Sequence, residues 1–176
     1  MTANTISPVP IHIRVQQQDF DMAAEYAALR TASGNPGAIV VFTGLVREIL
    51  DTAGVSTGTG KEQSLTLEHY PGMTESALQK IAQQAVARWP LQAISIIHRV
   101  GTLKPGDQIV LVAASSAHRS AAFESADFMM DYLKTSAPFW KKQLTRENSH
   151  WVQSRESDYQ AVARWQAAEI PPTVKD

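Results

Sequence analysis

Between Tyr132 and Arg146 the chain carries Lys134, Lys141, Lys142 and Arg146 and no acidic residue. The segment Pro138-Phe139-Trp140-Lys141 walls one of these amines with aromatic rings. A partly desolvated lysine has a lowered pKa and can serve as proton donor, proton acceptor or amine nucleophile. The same charges also suit a solvated helix end, because the dipole favours a cation where Lys134 falls, in a last helical turn. A second cationic element, Ser115-Ser116-Ala117-His118-Arg119-Ser120, lies where an apolar strand pattern passes into a helical one. Free backbone N–H groups at such a junction, with His118 and Arg119 beside them, suit an anion. The alternative is that Ser116 or Ser120 caps the helix while His118 and Arg119 face water. Third, Phe42-Thr43-Gly44-Leu45-Val46-Arg47 runs from an apolar strand through glycine into an arginine, which forks onto phosphate or carboxylate unless this is an ordinary strand end.

Composition removes many other chemistries. With Cys 0 there is no disulfide framework, thiolate metal site, cysteine nucleophile or persulfide carrier. His12, His69, His98, His118 and His150 are scattered without ligand spacing, so no metal site is expected. Gly54, Gly58 and Gly60 lack the spacing and flanks of a phosphate or dinucleotide loop, no Gly-x-Ser-x-Gly elbow occurs, and no cofactor is called for. Lys+Arg 16 against Asp+Glu 17 gives a net charge of -1, which supplies no global field for nucleic acid or anionic membrane. No stretch reaches the roughly 20 apolar residues of a membrane helix, and Met1 to Pro10 has no signal-peptide pattern, so a cytoplasmic protein is expected.

The elements that must position these residues read as α+β. Ile11 to Val15 alternates like a half-buried strand; Asp19 or Asp21 caps a helix through about Arg30; Ala38 to Phe42 is a continuous apolar run suited to a strand buried on both faces. Residues 48–64 form a long Gly-rich loop, followed by a strand over Leu65 to Tyr70. The next helix shows Met73, Ala77, Leu78, Ile81, Ala82, Ala85, Val86 and Trp89 on one stripe and stops at Pro90. Strands Ala93 to Val100 and Gln108 to Ser115 are joined by Gly101 to Asp107, and a helix from Ser116 to Ala137 carries Ala122, Phe123, Ala126, Met129, Met130, Leu133 and Ala137 inward. A hairpin over Phe139 to Leu144 and His150 to Gln153, a short helix over Ser157 to Gln166 and a loose tail over 168–176 complete one domain spanning residues 1–176. Trp89, Trp140, Trp151 and Trp165 are expected as core or interface anchors.

Five segments taken in order resemble the large, catalytic subunit family of molybdopterin synthase. They are Phe42 to Arg47, Leu67-Glu68-His69-Tyr70-Pro71-Gly72-Met73, His98-Arg99-Val100-Gly101, Ala117-His118-Arg119-Ser120, and Asp131-Tyr132-Leu133-Lys134 continuing to Pro138-Phe139-Trp140-Lys141. The likeness runs from about Ile11 to Trp165. It implies an α/β-hammerhead type of fold, mostly antiparallel, with a small β subdomain. It also implies a homodimer of large subunits within a heterotetramer. The implied activity is sulfur transfer from the C-terminal Gly-Gly thiocarboxylate of a small ubiquitin-like subunit to cyclic pyranopterin monophosphate (precursor Z), giving the molybdopterin dithiolene of the molybdenum cofactor. A sulfur-transfer enzyme without cysteine must receive its sulfur from outside, and both implied ligands are anions suited to a basic pocket.

By the resemblance, Lys134 and Lys141 match the family's catalytic lysines. Lys134 is expected nearest the incoming tail, where it could form an amide with the small subunit's terminus, and Lys141 is expected to assist acid–base steps and hold substrate. Arg47 with the backbone of Leu45 and Val46, plus His118 and Arg119, matches the phosphate and pterin pocket. Lys142 and Gln143 extend its wall, Arg155 matches a nearby family arginine, and Phe42 and Met130 are expected beneath it. The loop from Asp51 to Gln63 is longer than in close relatives, and Gln143 stands where many carry Glu. Two other readings compete: a non-enzymatic anion- or nucleotide-binding module, which would tolerate Lys134→Arg, and a scaffold, which would be indifferent to Arg47→Ala.

Overall fold

The computed structural model describes residues 8–48, 63–144, 149–152 and 156–167. The expected loop over 48–64 (but for its ends), the hairpin turn, Arg155 and the tail lie outside them. Two four-stranded sheets carry the fold. The first orders its strands β1 (Ile11–Gln16), β4 (Leu91–Arg99), β6 (Gln108–Ser116), β2 (Ala38–Leu45), and the second β5 (Gly101–Leu103), β3 (Ser64–His69), β7 (Phe139–Leu144), β8 (Ser149–Val152). Only the β1–β4 pair is parallel among these registers. Among the described residues the helices are α1 (Met22–Ala32), α2 (Met73–Arg88), α3 (Arg119–Ser136) and α4 (Glu156–Ala167). The α+β reading holds. Among the described residues no helix is long and apolar enough to cross a membrane.

β4 and β6 are buried along nearly their whole length because helices cover both faces. On one face, Ile94, Ile96, Val110 and Val112 pack against Leu78 and Ile81 of α2 and Phe128 and Met129 of α3. On the other, Ala93, Ile97, Leu111 and Ala113 meet Phe20 and Leu29. Asp21 caps α1 by accepting from the amides of Ala23 and Ala24 at 2.8 and 3.2 Å. The chain passes from the first sheet to the second at Val100-Gly101, where Gly101 takes φ 85°, a turn that a side chain would resist.

Several expectations are corrected. The apolar run of β2 sits at a sheet edge rather than in the centre, and Phe42 is exposed. A third strand, β5, lies inside the expected Gly101 to Asp107 connection; three residues are too few to show a period. β6 absorbs Ser116, so α3 starts at Arg119 with His118 as its N-cap. Met73 and Phe123 face outward, while Thr74, Phe128 and Asp131 are buried, because the helices present a slightly rotated face to the sheet.

α4 lies antiparallel on α3. Phe128 packs edge-on to Trp89 and Trp165, with ring centroids 5.2 and 5.6 Å away. The buried carboxylate of Asp131 accepts from Arg164 Nη2 at 2.6 Å and from Trp165 Nε1 at 2.8 Å, and Arg88 donates to the Trp165 carbonyl at 2.9 Å.

Candidate functional site

Pro138 ends the run of α3, and the chain enters β7 at once. There Phe139 pairs with His69, Lys141 with Leu67 and Gln143 with Leu65. Side chains alternate along a strand, so Phe139, Lys141 and Gln143 share the face of buried Leu67. That face packs with Val46, Leu103 and Ile109. The Lys141 stem therefore lies on apolar surface, and burial lowers its pKa from the ordinary lysine value; the Lys134 charge adds to the lowering and the Asp158 carboxylate opposes it. The expected wall of Phe and Trp is corrected in one member. Alternation turns Trp140 to the opposite face, where it is exposed, so Phe139 and Leu67 flank the amine. Lys142 follows Trp140 to that opposite face, whereas Gln143 stays with Lys141.

Lys134, in the last turn of α3, is about half exposed and places Nζ 3.6 Å from Asp158 Oδ1. Asp158 thus faces both amines, one by contact and one by its electrostatic effect. Behind Phe139 lies His98 of β4, buried and stacked on the Phe139 ring at 3.9 Å with an interplanar angle of 20°. Its Nδ1–H donates to the Arg99 carbonyl at 2.8 Å, which fixes the tautomer. Burial pushes the His98 pKa down to about 4; the backbone hydrogen bond opposes this, and the Lys141 and His69 charges reinforce it. The ring is neutral near pH 7.

Leu45-Val46-Arg47 belongs to the same end of the molecule. Val46 donates to the Asp107 carbonyl at 2.9 Å and accepts from Gly106 at 2.8 Å, and its side chain packs in the cluster containing Leu67 and Phe139. Leu45 and Arg47 are left exposed on either side of this pinned residue. Phe42 is exposed, and Met130 packs against the main core.

His118 and Arg119 sit elsewhere. Gly37 donates to the Ser116 carbonyl at 3.1 Å, holding the start of β2 against the end of β6, and the exposed His118 and Arg119 side chains project from the opposite end of α3. Lys134 stands fifteen positions beyond Arg119 on α3, a span of about 22 Å at 1.5 Å per residue. One copy of the chain therefore brings Lys134, Lys141, Gln143 and Leu45 to Arg47 to one end and leaves His118 and Arg119 at the other. Asp158 and His98 are the groups that sequence reasoning gave no role. His98 stood only within the His98-Arg99-Val100-Gly101 motif, and Asp158 carried no local signal. Among the described residues no cluster of three or more His, Asp or Glu is arranged to hold a metal ion.

The model of the MoaE protein family matches residues 15–136. A curated molybdopterin synthase catalytic subunit from Mesorhizobium japonicum is 50% identical over 158 residues, covering 89% of this chain and 94% of that one. Among solved structures, the molybdopterin biosynthesis MoaE protein from Burkholderia ambifaria is 48% identical with a TM-score of 0.74, covering 90% of this chain and 99% of that one. The molybdopterin synthase from Staphylococcus aureus is 32% identical with a TM-score of 0.67, covering 78% and 94%.

Proposed function

Because the chain belongs to the MoaE protein family, we propose that the Lys134–Lys141 end of the molecule is where it transfers sulfur as the catalytic subunit of molybdopterin synthase. Its partner is the small ubiquitin-like subunit, whose C-terminal Gly-Gly thiocarboxylate is the sulfur donor, and its substrate is cyclic pyranopterin monophosphate. The observation that carries this reading is the pairing of an exposed and a half-buried amine around one carboxylate. The two amines divide the work. Lys134, reachable from solvent, meets the anionic tail and stabilises charge as the thiocarboxylate sulfur adds to the pterin side chain. Lys141, whose burial lowers its pKa from the ordinary lysine value, gives and takes protons. A non-enzymatic anion binder gives no reason to bury an amine, since charge alone would serve.

Arg47 with the Leu45 and Val46 backbone supplies one part of the phosphate and pterin pocket. His118 and Arg119 supply another, and the length of α3 keeps them from the same copy's lysines. A twofold dimer resolves this if one copy's α3 start lies beside the other copy's lysines, which makes the homodimer part of the site. Gln143 shares the Lys141 face but, being neutral, moves no proton. Lys142, on the other face of β7, is given no part in proton transfer, and Arg155 is the arginine that the resemblance expects near the pocket. The relatives are bacterial biosynthetic proteins, which supports a cytoplasmic location.

Reconstitution tests the reading. This chain, thiocarboxylated small subunit and cyclic pyranopterin monophosphate should yield molybdopterin, and K134R should bind the small subunit yet lose turnover. Absence of product from folded components refutes it.

A further inference from the structure

The antiparallel seating of α4 on α3 has a specific consequence at its N-terminal end. Asp127 and Asp131 hold Arg164 at 2.7 and 2.6 Å, Asp131 holds Trp165, and about two turns back along α4 Asp158 arrives 3.6 Å from Lys134. As residue numbers rise on α3 they fall on α4, so these contacts form one continuous seam. The aromatic contacts of Trp165 with Phe128 and Trp89 fix the far end of that seam in the core. Asp158 is thus delivered to the lysines by a helix anchored elsewhere.

We propose that Asp158 is a positioning residue: its carboxylate, carried in by α4 to within 3.6 Å of the Lys134 amine, holds that amine on the Lys141 side of the site and offsets the charge of both lysines where an incoming thiocarboxylate meets them. Two cations held close repel each other, and one of them already sits on apolar surface. Without this counter-charge, Lys141 would lose its proton more readily. Among the described residues, the charged and titratable groups around Lys141 are Lys134 from α3, Asp158 from α4, His98 from β4 and, on the same sheet face, His69 from β3, which lies 3.8 Å from Glu75. Asp158 is the anion acting on Lys141 in this set. The inference rests on the sulfur-transfer reading for its catalytic meaning, but the placement of the amines is testable without it.

The test uses the full chain assembled with the small subunit, comparing wild type, D158N and D158E. Two quantities are read across pH. One is the acylation rate of Lys141 by acetic anhydride, followed by peptide mass spectrometry. The other is molybdopterin formation. Removing the negative charge destabilises the ammonium, so D158N should move the Lys141 acylation midpoint about one unit toward acid. It should shift the lysine limb of the activity profile the same way and lower kcat about tenfold with KM for the pterin little changed. D158E should recover most of both. D158S repeats the comparison if D158N fails to fold. An unchanged acylation midpoint in the neutral variants overturns the proposal. A shifted midpoint in a protein whose wild type makes no molybdopterin keeps the positioning and sinks the sulfur-transfer reading instead.

Discussion

His98 gives the fold a pH dependence whose size follows from its surroundings. In the unfolded chain its imidazole titrates near the ordinary histidine value of 6.5, whereas burial against Phe139 and beside Lys141 lowers this to about 4. Above the unfolded value the ring is neutral in both states and costs nothing. As the pH falls below 6.5 the unfolded chain takes up a proton that the native site refuses, and stability drops until the folded ring also protonates near 4. Each unit of the gap is worth about 1.4 kcal/mol, so the window removes about 3 kcal/mol. His98→Phe keeps a ring on Phe139 but cannot titrate, and it leaves the Arg99 carbonyl unpaired, which adds a pH-independent loss of about 1–3 kcal/mol. Urea unfolding of both proteins, followed by tryptophan fluorescence across this pH range, isolates the contribution of His98, because every other titrating group is shared. The wild-type advantage should be constant above neutrality and shrink by about 3 kcal/mol toward pH 4. A difference that stays flat over that range would show that the ring is charged or solvated in the native protein.

Two further substitutions probe the elements that carry the site. In Gly37→Ala the new Cβ would stand 2.1 Å from the Ala117 carbonyl oxygen, forcing the backbone before His118 and Arg119 to move; an overpacking loss of about 1–3 kcal/mol should lower Tm by several degrees, and a melt matching wild type contradicts it. In Asp131→Ala the Trp165 indole loses its acceptor while half-exposed Arg164 keeps Asp127, so α4 should loosen by about 2 kcal/mol and its amides exchange faster; unchanged exchange over 156–167 would show that the helix is held elsewhere.

What the sequence showed of this arrangement followed from local physics. The periods of β1 and α2 and the stops at Pro90 and Pro138 are all properties of a few neighbouring residues. Where the reading failed, the deciding partner was distant. Ala38 to Phe42 has the composition of a central strand, but its place at the edge is set by pairing with β6 some seventy residues on. Trp140 adjoins Lys141 in sequence and opposes it across the sheet. The split between Lys134 and His118–Arg119 was hidden because both lie on one helix, and only its length keeps them apart. Asp158 could not be singled out because nothing local says that α4 folds back on α3.

The strand order of the first sheet also constrains how the chain assembles during synthesis. β1 takes β4 as its neighbour, with Ile11 opposite Ile94, and β2 takes β6, with Ala38 opposite Ser116. Two of the earliest apolar segments must therefore wait for residues made much later, roughly 5–15 s at ordinary translation speeds. The β4–β6 hairpin, joined by a short connection, is the pairing with the least loop-closure cost, and it becomes the template onto which the older strands dock from either side. A ribosome paused before residue 91 therefore holds a nascent chain with Ile11 to Val15 and Ala38 to Phe42 still without their mates, apolar strands left unpaired until the hairpin emerges.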